Sequence, residues 1–144
     1  MVPFFPNFIK LDYFSSLKQK VIDVAIGATS ICFLTTDTNG NRLYSIGCGE
    51  TGQLGYGGAL NQCTPVEITQ MFDSEVTSIA VGGFHALALT KAGKLYGWGQ
   101  KSKSQLGTKH RKDDAKFSLI PNEIAFNATA TTVVCGSLFS MVLT

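Results

Sequence analysis

The chain has little excess charge of either sign: 12 Lys and Arg stand against 10 Asp and Glu, a formal net charge of +2 over 144 residues. Steering of a polyanion by the whole surface is therefore excluded. No apolar run approaches the roughly 20 residues that span a bilayer. The start, MVPFFPNFIK, has no basic segment and carries Pro3 and Pro6, which argues against a secretory signal. Composition thus leads to the expectation of an intracellular globular chain that does not engage membranes.

Cysteine pairs at short spacing are also missing. Cys32, Cys48, Cys63 and Cys135 lie 16, 15 and 72 positions apart, so neither a zinc knuckle nor a redox dithiol is encoded, and no metal or cofactor is expected. Cys32 and Cys135 fall where the matching segments carry Leu87 and Val81, which marks them as packing residues. With two histidines and no second triad member beside either, no catalytic residue is assigned and no covalent chemistry is expected.

What the chain does have is repetition. LYSIGCGETGQLG begins at Leu43 and LYGWGQKSKSQLG begins at Leu95, 52 residues later. Val76 to Thr90 matches Val21 to Thr35, and Thr131 to Thr144 matches both. Gly27, Gly82 and Gly136 keep step at 55 and 54 residues, and Pro65 and Pro121 at 56. A unit that recurs in this way cannot bury its apolar face alone and must stack on its neighbours. The expected division is 1–20 as the tail of a preceding unit, in which Pro6, Phe8 and Ile9 echo Pro65, Val66 and Ile68, then full units over 21–75 and 76–130, and the start of a third over 131–144.

Within the unit the pattern is strand. Ile79 to Val81, Ala86 to Leu89 and Leu95 to Trp98 are short apolar or alternating runs bounded by glycine. Two hairpins are predicted: His85 to Thr90 with Lys94 to Trp98 around a three-residue turn, and Ile31 to Thr36 with Arg42 to Ile46 around a five-residue turn containing Asn39-Gly40. Only Leu11 to Ile22 hints at a helical stripe. About four short strands per unit with glycine-rich connections is the requirement of a β-propeller blade. The fold class is accordingly all-β, a partial propeller of stacked four-stranded antiparallel blades. Gly27, Gly47, Gly55, Gly82, Gly99, Gly107 and Gly136 recur where backbones crowd or turns need positive φ. Trp98 is the expected wedge between blades; Ile46 holds the matching position in the first unit and should make a looser junction.

GCGETGQLG followed by Thr64-Pro65, then Val76 to Thr90 and KLYGWG, resembles the repeat of the regulator of chromosome condensation family over residues 21–144. The resemblance implies a seven-bladed ring, of which this chain holds about two and a half units. It also implies two activities found in the family, nucleotide exchange on the small GTPase Ran and docking of protein partners. The chain departs from the pattern in having Ser30 and Phe139 where a histidine is usual, leaving only His85, and in having Lys101 and Ser104 in place of Gly49 and Gly52. These changes weaken any carry-over of exchange. A photoreceptor of the family would need clustered tryptophans, and a ubiquitin ligase an added catalytic domain.

Gly47 to Gly52 also satisfies the glycine fingerprint of dinucleotide-binding folds. That fingerprint must open a helix, whereas Gly55, Gly57, Gly58 and Pro65 follow, so the stretch reads as a turn. Two candidate contact features remain. His85, in GGFHALAL, reads first as a ring that ties loops near the propeller axis and second as a partner contact. Lys101, Lys103, Lys109, Arg111, Lys112 and Lys116 concentrate half the basic residues of the chain in one stretch, which reads first as a solvated insertion between strands, since the interleaved aromatics of a nucleic-acid platform are missing, and second as a loop that docks an acidic protein face or, less expected, nucleic acid or chromatin. The functional expectation is a protein-interaction scaffold that binds through blade-edge loops. The alternative is a guanine-nucleotide exchange factor, or part of one, for a Ran-like small GTPase. Because the last strand would lack its usual hairpin partner, the chain is expected to be either a fragment of a longer protein or a piece that associates with another chain to complete its sheet.

Overall fold

The computed structural model describes residues 11–69, 72–107 and 115–144. Ten strands follow one short helix: α1 (Tyr13–Ser16), β1 (Lys20–Ile26), β2 (Ser30–Asp37), β3 (Gly40–Gly47), β4 (Gln62–Ile68), β5 (Val76–Val81), β6 (His85–Thr90), β7 (Leu95–Gln100), β8 (Phe117–Ile124), β9 (Thr132–Cys135) and β10 (Ser140–Leu143). They form antiparallel meanders in the orders β1-β2-β3-β4 and β5-β6-β7-β8, with β9-β10 as a third sheet. The partial propeller is thus built of four-stranded sheets, each strand hydrogen-bonded to its sequence neighbour.

The units repeat down to their irregularities. A register shift between Val21 and Asp23 in the first sheet has its counterpart between Val76 and Ser78 in the second. Shifts between Ser45 and Gly47, and between Gly97 and Gly99, match in the same way. A bulge kinks its strand and increases local twist, so equal bulges give neighbouring sheets the same curvature and let them nest.

The first two sheets place apolar residues in cores on both faces because side chains alternate across a strand. Cys32, Leu34, Leu43 and Ile68 of the first sheet meet Val76, Ile79, Val81, Ala86, Ala88, Tyr96 and Trp98 of the second in one continuous core. The other face of the second sheet, with Ala80, Leu87, Leu89 and Leu95, packs with Leu106, Ala130 and Val133. On the far face of the first sheet, α1 lays Phe14 against Phe33 and Tyr44, with ring centroids 5.0 and 5.2 Å away.

Two local expectations are corrected. The helical stripe over Leu11 to Ile22 shrinks to the four residues of α1, because β-branched Val21, Ile22 and Val24 favour the extended chain that begins at Lys20. The five-residue turn at residues 37–41 is not a long loop. Asp37 pairs with Gly40, so the extra residues lengthen both strands and leave Thr38 and Asn39 as the connection. The Asp37 carboxylate accepts from the Asn39 amide at 2.6 Å, and Gly40 takes the positive φ of 113°. The echo at Pro6, Phe8 and Ile9 lies outside the described residues.

Candidate functional site

Because every strand reverses direction, alternate connections gather at one end of the sheets. Among the described residues, 27–29, 48–61, 82–84, 101–107 with 115–116, and 136–139 belong to the connections at this end; 38–39, 69 with 72–75, 91–94 and 125–131 belong to those at the other. The first set forms the candidate interaction face.

Its centre is held by the recurring glycines. Gly27, Gly82 and Gly136 each donate a backbone hydrogen bond to the residue three positions on, at 2.8, 2.8 and 2.9 Å, which closes an identical tight loop in each sheet. Neighbouring loops are stitched together: Gly83 donates to Ser137 O at 3.0 Å, Ala28 to Gly82 O at 3.4 Å, and Thr29 Oγ1 to Gly83 O at 3.2 Å. A Cβ on Gly82 would stand 2.6 Å from Gly136 O and 2.4 Å from His85 Cε1. Only glycine allows that approach.

His85 lies beneath this loop and is 0% exposed. The ring that was a candidate partner contact is therefore withdrawn from the surface and serves the junction between sheets. Ser140 spends its single hydrogen on Gln105 O at 2.7 Å, so His85 Nε2, 2.9 Å from the same hydroxyl oxygen, must be the donor. That leaves the neutral tautomer with a bare Nδ1, which is buried without a well-formed hydrogen bond. Burial holds the imidazole pKa below its ordinary value, an effect that the Phe139 backbone carbonyl partly opposes.

The loops after β3 and β7 are organised by a pair of buried glutamines that sequence reasoning missed. The Gln53 side chain accepts from the backbone amide and hydroxyl of Thr51, and Gln105 accepts from the Lys103 amide at 2.8 Å. The next sheet then caps each glutamine's carbonyl. Trp98 Nε1 donates to Gln53 O at 3.0 Å, and Ser140 Oγ donates to Gln105 O. The signal was present in the sequence as Gln-Leu-Gly in both copies, but a polar residue within a turn-rich stretch gives no sign of burial.

Gly55 and Gly107 end these turns with φ of 70° and 69°. The Gly55 Cα lies flat against the fully buried Trp98 indole, where a Cβ would approach within 2.7 Å. Gly47 and Gly99, with φ of 118° and 87°, sit where β3 and β7 give way to the loops. Gly49 to Gly55 forms consecutive turns, with amide bonds from Gly52 to Gly49 O and from Gly55 to Gly52 O, and no helix follows.

The basic loop is closed at its base by a 2.9 Å bond from the Lys101 amide to Lys116 O. Lys103 and Lys116 are exposed and Lys101 is half-buried. Lys109, Arg111 and Lys112 lie outside the described residues. The strand leading into this loop touches the centre of the face, where Gln100 donates to Phe84 O at 2.8 Å. Phe84, Leu138 and Phe139 expose 36, 46 and 60% of their surface there, an apolar feature that no sequence pattern singled out.

Among the described residues no group of three or more His, Cys, Asp or Glu is placed to hold a metal ion. All four cysteines are free; burial pushes the Cys32 thiol up to about 12 and the Cys135 thiol to about 11, so neither is a ready nucleophile. No helix among the described residues is long and apolar enough to cross a membrane.

The model of the regulator of chromosome condensation (RCC1) repeat matches residues 41–89 and again 92–143. The chain belongs to this family. The first matched RCC1 span starts in the third strand of the first sheet and the second starts in the turn just before the third strand of the second sheet; each ends in the second strand of the following sheet, so β3 to β6 form one unit and β7 to β10 the other. A bifunctional serine/threonine-protein kinase/NEDD4-like E3 ubiquitin-protein ligase of Dictyostelium discoideum is 37% identical over 114 residues, covering 76% of this chain and 6% of that protein. Human WBSCR16 superposes with a TM-score of 0.75 at 28% identity, over 86% of this chain and 30% of its own. Prp20p of Saccharomyces cerevisiae, whose structure was described with its binding to Gsp1p and histones, shares the fold at a TM-score of 0.72 and 22% identity, over 86% of this chain and 31% of its own. This RCC1-repeat chain therefore spans under a third of each of these proteins.

Proposed function

We propose that this chain is a non-catalytic protein-binding module that presents the loop end of its RCC1 repeats to an acidic, folded partner. The observation that carries the reading is the juxtaposition of exposed Phe84, Leu138 and Phe139 with Lys101 and Lys103 on loops tied to one another across the sheets. Aromatic anchors supply most of the energy of an interface, and cations at its rim govern encounter and register. The cross-sheet bonds hold these groups in place before binding, which lowers the ordering cost. His85 supports the loops from below and makes no contact itself.

The second reading, exchange on a Ran-like small GTPase, draws on Prp20p, whose description includes Gsp1p. The departures at Ser30, Phe139, Lys101 and Ser104 weigh against it. The nucleotide-free and the GDP-bound forms of a Ran-like GTPase are the two probes. Binding of at least one is expected to weaken about tenfold, or roughly 1.4 kcal/mol, when Phe84 and Phe139 are both changed to Ala. Thr38→Ala at the opposite end should leave it unchanged. Release of fluorescent GDP should not accelerate. Failure of both probes to bind, or equal loss from changes at both ends, would overturn the interaction reading; accelerated release that needs Lys101 or Lys103 would favour exchange.

A further inference from the structure

The hairpin that joins β2 to β3 carries at its tip the one Asn-Gly pair of the sequence, Asn39-Gly40. Asn39 is exposed, and a Cβ built on Gly40 would meet nothing within 4 Å, so the tip stands clear of the rest of the molecule. Other asparagines spend their carboxamides on hydrogen bonds: Asn41 donates to Val76 O, Asn61 accepts from the Gly49 amide, and Asn122 donates to Ser118 Oγ and Ile120 O. Among the described residues no such bond holds the carboxamide of Asn39, whose backbone amide alone is engaged.

An asparagine followed by glycine can react with its own backbone. The next residue's nitrogen reaches the side-chain carbonyl carbon when no Cβ stands in the way, and only glycine lacks one. Asn127, exposed at the same end of the sheets, is followed by Ala128 and so provides an internal comparison. What restrains Asn39 is the hairpin. Gly40 pairs with Asp37 across the turn, one Asp37 carboxylate oxygen accepts the Asn39 amide at 2.6 Å, and the other lies 3.3 Å from Arg42 Nε. Attack must therefore wait for the tip to open, and the exposed end of a hairpin opens at less cost than the strands behind it.

We propose that Asn39 is a site of spontaneous backbone rearrangement, with the Asp37 carboxylate acting as the brake on its rate. The Gly40 nitrogen bonds to the Asn39 side-chain carbonyl carbon, the carboxamide C–N bond breaks, and the Gly40 amide proton leaves with that nitrogen as ammonia. Water then opens the cyclic imide: hydroxyl adds to one of its two carbonyl carbons and a proton returns to the ring nitrogen. Opening on one side yields aspartate; opening on the other yields isoaspartate, in which the main chain runs through the former side chain. Either product adds a carboxylate and lowers the formal net charge of +2 by one. Isoaspartate also inserts an extra carbon into the main chain before Gly40, which breaks its pairing with Asp37. Asn41 Nδ2 ties this tip to Val76 O of β5 at 2.9 Å, so the change loosens the hold of the first hairpin on the second sheet. The site lies at the end away from the loop face and does not depend on the interaction reading above.

The test incubates the folded 144-residue chain near physiological pH and temperature, digests samples over time and follows by mass spectrometry the gain of about 1 Da that replacing the carboxamide by a carboxylate brings, with fragmentation to separate isoaspartate from aspartate. Asn39 is expected to convert at least about tenfold faster than Asn127, a difference in barrier of about 1.4 kcal/mol. Asp37→Ala, which frees the tip, should speed conversion by about threefold or more, and Asn39→Ser should abolish it at this position. The converted chain should melt at a lower temperature than Asn39→Asp, which carries the same added charge on an unaltered backbone. Conversion at Asn39 no faster than at Asn127 would overturn the proposal. An Asp37→Ala rate that is unchanged or lower would overturn the role given to Asp37, and equal melting of the converted chain and Asn39→Asp would overturn the structural consequence.

Discussion

Replacing Trp98 with alanine tests whether stacking between sheets holds this chain together. The indole is fully buried in the core shared by the first and second sheets. Taking roughly 150–250 Å² out of water at about 25 cal/mol/Å² gives about 4–6 kcal/mol gross, and Trp→Ala changes in cores cost about 3–5 kcal/mol. Removing the N–H also strands the buried Gln53 carbonyl that it caps at 3.0 Å, worth about 1 kcal/mol. A loss near 4 kcal/mol should lower the melting temperature by roughly 8–16 °C in a chain of this size. Ile46→Ala at the matching position removes a half-buried side chain from the aromatic cluster under α1 and should cost about 1–2 kcal/mol. Trp98→Phe keeps much of the apolar contact, gives up the donor, and should fall between the two. Thermal and urea unfolding followed by circular dichroism measures all three. If Ile46→Ala proved as costly as Trp98→Ala, the wedge role of Trp98 would be wrong.

Three further outcomes are expected. Ser104 stands in the left-handed region at φ 58°, where the first unit has Gly52 at 75°, so Ser104→Gly should raise stability by about 0.5–1 kcal/mol in urea titration. His85 has its pKa lowered by burial, so the unfolded chain takes up a proton that the folded chain refuses. Stability should therefore fall as pH drops through the ordinary value of 6.5 and level off below the folded pKa, and His85→Phe should remove that dependence from unfolding midpoints measured between pH 8 and 5. In the folded protein Cys63, which is exposed, should react with maleimide promptly, whereas Cys32 should react only on unfolding; equal rates would contradict the burial.

The strands were legible because alternation and glycine punctuation act over a few residues, and the repeat let one copy check the other. The same local logic misjudged the first hairpin, where Asp37-Thr38-Asn39-Gly40-Asn41 carries turn residues throughout and yet Asp37 and Gly40 pair. Trp98 could be read as a wedge since a lone indole in an apolar strand has few other uses. Gln53 and Gln105 could not be read as core, because their burial depends on loops folding back over them and on a donor from the next sheet. His85 shows the same limit: a histidine among small residues leaves open whether it faces solvent, and the Ser140 hydroxyl that decides the matter lies 55 positions away. The apolar centre of the loop face escaped notice for the complementary reason, as Phe84 and Phe139 look like core residues in sequence.

The half-sheet phase between the family unit and the sheets bears on how such chains gain and lose copies. A genetic excision of one unit, joining the end of β2 to the start of β7, would not leave ragged halves. The surviving inner strands and the incoming outer strands occupy equivalent positions, so β1-β2-β7-β8 closes as a hybrid four-stranded layer. A duplication inserts one whole layer by the same splice. Copy number can therefore change by whole layers, with mismatches confined to the seam within one hybrid layer.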